Sequence, residues 1–254
     1  MSHLFSPEGD HALDEIVTRK PLLALDFDGT LAPIVPLPEN ARTPLSIARV
    51  LARLAELMPV AIVTGRAIAD VTERLGFSPH YIVGNHGAEG LPDSAVSGAA
   101  QTVNRWRRAL NQDFAPRLDA AGVLVEDKGH SFSLHYRLAR DRVTALDAIQ
   151  ATVSALEPTP RVIDGKFVIN LLPEGAPDKY RAAVELMRVA ECDTVIFAGD
   201  DITDDLVFEQ APADWLTIRV ETRDHHRARF HLNHQNEVAI FLQRLLKSLE
   251  RHRT

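Results

Sequence analysis

Short apolar runs alternate with longer amphipathic stretches along the first third of the chain. Residues 22–25, 60–63 and 81–83 are apolar runs of strand length, and each is bordered by polar or turn-forming residues. Runs of this kind are typical of strands that are buried on both faces of a parallel sheet. Residues 45–57 lie between the first two runs, and their apolar side chains recur at helical spacing. The order predicts strand, helix, strand, helix, strand, as in a doubly wound sheet.

The pattern changes after residue 91. Residues 92–100 are rich in small residues, which indicates a hinge at a domain boundary. The elements predicted after this hinge are, in order, a helix over 101–118 with Pro116 at an end or kink, strands at 123–125 and 132–137, a helix over 141–156 and two strands within 161–171. This order predicts a small antiparallel sheet with two helices on one face, an inserted α+β domain.

The α/β pattern resumes at Pro177. The elements predicted from there are a helix over 178–190, strands at 194–198 and 216–220, and a closing helix whose apolar stripe runs from 238 to 249. The predicted fold is therefore α/β, a doubly wound parallel-sheet core that carries an inserted α+β cap domain. The predicted boundaries are 19–97 for the first core segment, 98–174 for the cap domain and 175–254 for the second core segment. Residues 1–18 are expected to be a loose lead-in.

Composition limits the classes of partner. The 254 residues are 45% hydrophobic and 25% charged, which is ordinary for a globular protein. A formal net charge of −7 argues against a general nucleic-acid binder. No apolar run approaches the roughly 20 residues that span a bilayer, and residues 1–20 do not resemble a secretory leader. Cys192 is the single cysteine, so no internal disulfide is possible and a cytoplasmic location is expected. The sequence does not indicate an oligomeric state.

Two carboxylates, Asp26 and Asp28, follow the first apolar run, and Gly29 and Thr30 come next. Ligands of α/β sheets bind at the carboxyl ends of strands, and alternation along a strand sends Asp26 and Asp28 to the same side. Their mutual repulsion is relieved by a cation, and Mg²⁺ prefers oxygen ligands. One carboxylate could act as a nucleophile and the other as a general acid and base. The alternative is a turn that holds two solvated aspartates.

A second acidic cluster ends the apolar run at 194–198. Residues 199–205 read Gly-Asp-Asp-Ile-Thr-Asp-Asp, which brings four carboxylates together at a strand end. A bound cation is the simple reason for such crowding. The alternative, an acidic first turn that interacts with the helix dipole, accounts for Asp204 and Asp205 but not for Asp200 and Asp201.

These motifs resemble those of the haloacid dehalogenase-like phosphatases, and Thr64 and Lys179 match the two remaining motifs of that family in the correct order. The resemblance implies that Asp26 is the nucleophile, that Asp28 is the acid and base, and that Thr64 and Lys179 hold the phosphoryl group. The implied cofactor is Mg²⁺, and its implied ligands are Asp26, the backbone carbonyl of Asp28 and Asp200, with Asp201 or Asp204 in support. The alternatives are a helix-capping turn at Thr64 and a solvated surface lysine at Lys179.

Two further stretches, residues 84–89 and 126–137, resemble the trehalose-6-phosphate phosphatases. In those enzymes the inserted domain closes over the sugar, and by this resemblance Glu126 and Lys128 would bind sugar hydroxyls. The family usually has a glutamate where Asn170 stands here. The substrate-binding residues that the sequence predicts are Gly65, Arg66, Asn85, His86, Glu126, Lys128 and Asn170. The alternatives are a charge pair on a strand edge for Glu126 and Lys128 and a packed turn histidine for His86.

The resemblance implies hydrolysis of a small-molecule sugar phosphate, trehalose 6-phosphate first, through an aspartyl-phosphate. Two alternatives remain. A related capped phosphatase could act on sucrose 6-phosphate or a glycosyl-3-phosphoglycerate, because Asn170 departs from the family pattern. A non-catalytic sugar-phosphate sensor is the alternative from another class. The presence of Asp26, Asp28 and Lys179 argues against the sensor, since a chain that has lost its activity is expected to lose one of them.

Overall fold

The computed structural model describes residues 2–91, 99–165, 167–222 and 227–253. Most of the hinge predicted at residues 92–100 lies outside these ranges. The chain divides into two compact units, one made of Met1–Leu91 and Asp178–Thr254 and the other of Pro92–Pro177.

The α-helices and strands of the described residues are numbered here in chain order. They are β1 (Ser2–His3), α1 (Pro7–Ile16), β2 (Pro21–Leu25), α2 (Leu45–Ala55), β3 (Val60–Val63), α3 (Ile68–Leu75), β4 (Tyr81–Val83), α4 (Ala99–Ala109), α5 (Ala115–Ala120), β5 (Leu124–Asp127), β6 (Phe132–His135), α6 (Arg142–Ala155), β7 (Arg161–Gly165), β8 (Val168–Leu172), α7 (Lys179–Val189), β9 (Thr194–Gly199), α8 (Ile202–Gln210), β10 (Leu216–Val220), β11 (Phe230–Leu232) and α9 (Glu237–Arg253).

The first unit is built on a seven-stranded parallel sheet in the order β1-β11-β10-β9-β2-β3-β4. The chain moves outward from β2 in one direction through β3 and β4, and from β9 in the other through β10 and β11. The strand order therefore reverses between β2 and β9, which is the position where doubly wound sheets bind ligands. The predicted doubly wound α/β core is confirmed.

Successive side chains of the central strands enter two hydrophobic layers. Leu23 and Leu25 of β2 pack into the layer that holds α1, α2, α3 and α9, whereas Leu22 and Ala24 pack into the layer that holds α7 and α8. The strand period of two and the absence of polar residues in β2 explain this arrangement. Helices therefore cover both faces of the sheet, and the polar ends of its strands form the edge at which side chains can meet a ligand.

The N-terminal residues belong to the core, so the expectation of a loose lead-in over residues 1–18 is wrong. Strand β1 pairs in parallel with β11 at the edge of the sheet. The side chain of Ser6 caps α1 by accepting a hydrogen bond from the backbone N–H of Gly9 (3.3 Å). Leu4 and Leu13 are buried in the layer shared with α9. Two strand residues and a helix of mixed polarity are too short a pattern to predict this packing from the sequence.

The second unit contains the antiparallel sheet β5-β6-β8-β7 and its helices, as predicted for the inserted α+β domain. Trp106 of α4 and Phe132 of β6 are fully buried in its core. A π-helical turn at Leu110–Phe114 joins α4 to α5, so the predicted helix continues past Pro116, which lies in the first turn of α5. Proline is tolerated there because its missing N–H would have no helical partner.

A helix that crosses a bilayer needs about 20 consecutive residues that are mostly apolar. Within the described ranges, every helix is either too short or too polar to do so.

Candidate active site

Charged side chains collect at the carboxyl ends of the central strands of the first unit. Asp26 follows β2 directly, and Asp200 follows β9, its neighbour in the sheet. Thr64 follows β3 on the other side of β2. Lys179 is the first residue of α7, which Asp178 caps through a hydrogen bond from the backbone N–H of Arg181 (2.8 Å). The strand order therefore brings the predicted motifs to the same edge of the sheet.

Lys179 lies between two buried carboxylates. Its Nζ is 3.0 Å from Oδ1 of Asp26 and 2.8 Å from Oδ1 of Asp204. The lysine is 2% exposed, Asp26 is 4% exposed and Asp204 is fully buried. Charges so far from water are stable only when they are paired. The alternative of a solvated surface lysine at position 179 therefore does not hold.

Three carboxylates meet beside this lysine. Asp26, Asp200 and Asp204 each offer one oxygen, and the three oxygens lie within 4.8 Å of one another. Burial, together with repulsion from the neighbouring aspartates, raises the pKa of Asp26 well above its usual value against the opposing effect of Lys179. Burial and the charge of Asp204 raise the pKa of Asp200 to about 7. An all-oxygen set that is crowded and negative fits a hard divalent cation such as Mg²⁺.

The same carboxylates act on Lys179. Burial alone would lower the pKa of the ammonium group, but the charges of Asp204 and Asp26 outweigh it and raise that pKa. The lysine is therefore a permanent cation at neutral pH, and it neutralises part of the acidic cluster. A cation in this position can also offset the negative charge of an incoming phosphate.

Asp201 and Asp204 have different places in the acidic motif. Asp201 caps α8, where its Oδ1 accepts a hydrogen bond from the backbone N–H of Ile202 (2.7 Å). Asp204 turns one oxygen back to the backbone N–H of Asp201 (2.9 Å) and the other to Lys179. Of the two residues predicted to support a metal, the structure therefore brings Asp204 into the carboxylate cluster and uses Asp201 as a cap.

Arg66 holds the carboxylate of Asp28 in a two-pronged contact. Its Nε and Nη2 donate to the two oxygens of Asp28 at 2.6 and 2.7 Å. The same guanidinium donates to Asp70 (2.6 Å) and to the backbone oxygen of Pro38 (2.9 Å). Burial acts against the charge of Arg66, but Asp28 and Asp70 outweigh it and raise the pKa of the guanidinium. Asp28 is thus fixed by a partner that the sequence indicated only as a substrate-binding residue.

The loops after β3 and β4 are packed against each other. Thr64 is buried and its Oγ1 accepts a hydrogen bond from the backbone N–H of Arg66 (3.2 Å). A Cβ at Gly65 would collide with the ring of His86, whose backbone is in the left-handed region (φ 57°). Asn85 is fully buried. Glycine at position 65 is therefore required for the approach of the histidine ring.

The conformation of the second of these loops depends on a partly buried contact with Glu89. The amide nitrogen of Asn85 donates to Oε2 of Glu89 (2.9 Å), and the same oxygen accepts from the backbone N–H of Ile68 at the start of α3 (3.0 Å). These contacts give Asn85 a role in the structure of the loop. Its predicted part in substrate binding stays a prediction.

In the second unit, Glu126 lies on β5, an edge strand of the antiparallel sheet. Its carboxylate is 2.8 Å from Nε2 of His135 and 4.0 Å from Nζ of Lys128. The side chain of Glu126 is 47% exposed and that of Lys128 is 13% exposed. A half-exposed acid whose neighbours are a lysine and a histidine can exchange one of them for a hydroxyl ligand. The geometry is equally that of a charge cluster on a strand edge.

Asn170 is in β8, in the same row of the sheet as Glu126. Register pairs Glu126 with Ser133 and Ser133 with Asn170, so the three side chains share one face. The Oγ of Ser133 donates to Oδ1 of Asn170 (2.7 Å), and Nδ2 of Asn170 donates to the backbone oxygen of Ile163 (3.3 Å). The amide therefore already makes hydrogen bonds within the sheet through both of its polar atoms.

Three further residues shape the acidic cluster, and none of them is among the site residues that the sequence predicts. Gly29 and Gly199 lie against the carboxylates of Asp200 and Asp204, and a Cβ at either glycine would collide with its neighbour. Arg219 of β10 is fully buried behind the acidic loop. The two glycines lie within the two acidic motifs, and their position next to the aspartates in the sequence could have indicated a role beside the carboxylates. Arg219 stands in a strand whose other residues are apolar except for Thr217, and no motif of the sequence analysis includes it.

Comparison with known sequences gives a consistent result. A sequence model of the family described as trehalose-phosphatase matches residues 24–234 of the chain. A trehalose-phosphate phosphatase of Mycolicibacterium paratuberculosis (strain ATCC BAA-968 / K-10) is 33% identical over 273 residues, which cover 96% of this chain and 68% of that protein. The protein of the same name from Mycobacterium tuberculosis (strain ATCC 25618 / H37Rv) is 34% identical over 93% of this chain and 64% of its own length. The chain thus spans about two thirds of the length of these relatives.

Solved structures agree with the fold. A structure described as a trehalose-6-phosphate phosphatase related protein is similar with a TM-score of 0.75 at 25% identity, covering 92% of this chain and 100% of that chain. The C-terminal domain of trehalose-6-phosphate phosphatase from C. albicans has a TM-score of 0.71 at 21% identity, with coverage of 94% and 96%. The second similarity, at its lower identity, supports the fold alone.

Proposed function

Since the chain belongs to the trehalose-phosphatase family, we propose that it hydrolyses trehalose 6-phosphate to trehalose and phosphate. The observation that carries the proposal is the buried contact of Lys179 with Asp26 and Asp204, next to Asp200 at the carboxyl end of the sheet. Burying these charges costs free energy even when they are paired. A phosphoryl-transfer site needs them, because it must place a nucleophilic carboxylate beside a cation that accepts phosphate.

In the proposed first step an oxygen of Asp26 attacks phosphorus and forms an acyl-phosphate bond, while the bond from phosphorus to the sugar oxygen breaks. Asp28 acts as the general acid and gives a proton to that sugar oxygen. In the second step Asp28 takes a proton from water as the water attacks phosphorus, and Asp26 and inorganic phosphate are released. Thr64 and Lys179 hold the phosphoryl oxygens. Such catalysis depends mainly on positioning and on charge neutralisation.

Mg²⁺ is the proposed cofactor. Asp26, Asp200, Asp204 and the backbone carbonyl of Asp28 would hold it. When bound, it supplies positive charge that favours the ionised form of Asp26 and offsets the negative charge of the phosphate. Asp201 is left out of this set because its carboxylate caps α8.

The proposed ligands of the sugar are Glu126, Lys128 and Asn170, with Arg66 and His86 as further candidates. Glu126 and Lys128 carry charges that can replace water at sugar hydroxyls. Asn170 would have to exchange one of its two internal hydrogen bonds, which is why other disaccharide phosphates belong in the test. A cytoplasmic location stays a prediction that rests on the single cysteine, Cys192.

The test is phosphate release from a panel of substrates, measured with Mg²⁺ and again with EDTA. The panel contains trehalose 6-phosphate, sucrose 6-phosphate, mannosyl-3-phosphoglycerate and glucose 6-phosphate. We expect a strong preference for trehalose 6-phosphate that EDTA abolishes and Mg²⁺ restores. Preference for another member would keep the chemistry and refute the substrate. A folded protein that releases no phosphate from any member would refute the enzyme and favour the sensor.

A further inference from the structure

Arg219 is a fully buried arginine whose described hydrogen bonds all end on residues 200–205, the acidic segment that leads from β9 into α8. Its Nη2 donates to the backbone oxygen of Asp200 (2.5 Å), and its Nη1 donates to the backbone oxygen of Asp201 (3.2 Å). The same Nη1 forms an ion pair with the carboxylate of Asp205. The guanidinium also lies over the ring of Phe208, 5.9 Å from its centroid.

These contacts fix the backbone of two consecutive acidic residues. A guanidinium is a planar fork, so its two outer nitrogens hold two acceptors at a set separation and angle. Here the two acceptors are the carbonyls of Asp200 and Asp201. The carbonyl positions determine where the Asp200 carboxylate points, and they determine where α8 begins with Asp204 in its first turn.

The acidic segment needs such a restraint because repulsion between its carboxylates disfavours the conformation that brings them together. Asp200, Asp204 and Asp26 repel one another, because an oxygen of each lies within 4.8 Å of an oxygen of the other two. A loop held only by its side chains could relax by turning a carboxylate toward water. The two hydrogen bonds from Arg219 oppose that movement because they hold the backbone carbonyls of Asp200 and Asp201. These carbonyls are not the atoms that repel one another, so the restraint does not depend on the side-chain carboxylates.

We propose that Arg219 is a positioning residue that holds Asp200 and Asp204 in the geometry required for Mg²⁺. The proposal rests on the proposed function, since it takes the acidic cluster to be the metal site. Arg219 acts through the backbone of the acidic segment and makes no contact with the ion. Groups that orient metal ligands typically contribute 10- to 100-fold to metal affinity.

A purely electrostatic role makes the opposite prediction, which gives the proposal a sharp test. If Arg219 acted only through its positive charge, its removal would strengthen the binding of a cation, and its replacement by lysine would change nothing. If it acts by positioning, both changes weaken binding, because lysine keeps the charge but cannot donate to both carbonyls as a fork. Arg219→Met and Arg219→Lys therefore separate the two explanations.

The experiment is calorimetric titration of the full chain with Mg²⁺ alone, so the readout does not depend on activity. Each variant is first shown to be folded by its far-UV circular dichroism and its cooperative thermal transition. We expect the Kd for Mg²⁺ to rise about tenfold or more in both variants. The matched control is Arg229→Lys, which changes an exposed arginine next to β11 and should leave the Kd unchanged.

Steady-state kinetics separate this effect from a general structural defect. We expect the Mg²⁺ concentration for half-maximal phosphate release to rise with the Kd, while kcat at saturating Mg²⁺ and KM for the sugar phosphate stay near the parental values. A loss of kcat that excess Mg²⁺ does not restore would overturn the positioning role. A parent chain that binds Mg²⁺ but releases no phosphate from trehalose 6-phosphate would refute the proposed substrate without bearing on the role of Arg219.

A third variant decides the matter if neither Arg219 variant folds. Asp205→Asn removes the ion pair but keeps the arginine, and Glu209→Gln removes a charge from an exposed position of the same helix. We expect Asp205→Asn to weaken Mg²⁺ binding more than Glu209→Gln does. Equal Kd values for these two variants would overturn the proposal, and so would a parental Kd in Arg219→Lys where that variant folds. A parent that does not bind Mg²⁺ would overturn it together with the metal assignment.

Discussion

Removing the charge of Asp200 should stabilise the metal-free protein, although it should destroy metal binding. The side chain is partly buried among other carboxylates, and its pKa rises from 3.8 to about 7 in the folded chain. The folded state therefore keeps a proton between pH 4 and pH 7 that the unfolded state has released. The amide introduced by Asp200→Asn would be neutral in both states, and its oxygen can still accept the hydrogen bond that Thr30 Oγ1 donates to Oδ1 of Asp200 (3.3 Å).

The magnitude follows from linkage between protonation and folding. Each unit of pKa difference corresponds to about 1.4 kcal/mol, so a rise of about three units corresponds to roughly 4 kcal/mol. Stability is lost as the pH rises, because the unfolded state binds fewer protons than the folded state in this range. The contribution is fully present below pH 4 and is lost by about pH 7. The variant should therefore match the parent near pH 4 and exceed it by up to about 4 kcal/mol at pH 8.

The assay is urea unfolding with EDTA at several pH values between 4 and 8, followed by the same titrations with Mg²⁺. Glu209→Gln, which removes an exposed carboxylate from α8, is the matched control and should follow the parent at every pH. Mg²⁺ at a hundred times its Kd should add about 2.7 kcal/mol to the parent and much less to the variant. Equal stability of parent and Asp200→Asn at pH 8 in EDTA would refute the reasoning.

Three further changes test other parts of the structure. Arg66→Gln frees Asp28 from its two-pronged contact and, because misplacing a catalytic group by about 1 Å can cost about 100-fold, should lower kcat by up to about 100-fold in steady-state assays; an unchanged kcat would contradict the role of that contact. Lys179→Met leaves buried carboxylates without their cation and should lower the free energy of unfolding in EDTA at pH 8 by about 3–5 kcal/mol, a loss that acidification should reduce. Leu4→Ala should cost about 2–5 kcal/mol in urea unfolding, whereas Leu138→Ala, at a position 93% exposed, should cost almost nothing; equal effects would contradict the packing of the N-terminus.

The central strands could be predicted from the sequence because each is an uninterrupted apolar run that the parallel sheet buries on both faces. The two strands at one edge of the sheet, β1 and β11, could not be predicted in this way. Strand β11 is the three residues Phe230–Leu232 with a histidine at their centre, and β1 is only two residues long. Their pairing depends on neighbours that are more than 200 residues apart along the chain. A local pattern contains no signal for such a contact.

The acidic motifs of the site could be predicted from the sequence, because several carboxylates close together repel one another unless a cation lies between them. The division of roles among them was not visible. Asp201 and Asp204 are the same residue type in the same motif, so the sequence does not distinguish their roles. The geometry of the start of α8 does: Asp201 caps the helix, and Asp204 joins the carboxylate cluster. Arg219 illustrates the same limit, since an arginine in a strand is usually exposed and nothing nearby in sequence indicates its buried partners.

The central claim, that Asp26 is the nucleophile of a phosphoryl transfer, is tested most directly by mass spectrometry of the peptide that contains Asp26. The chain is mixed with trehalose 6-phosphate and Mg²⁺ and is quenched with acid within one turnover. We predict a phosphoryl adduct on Asp26 that is absent when EDTA is present and absent in Asp26→Asn, which should also release no phosphate. Phosphate release by Asp26→Asn at the parental rate would contradict the account.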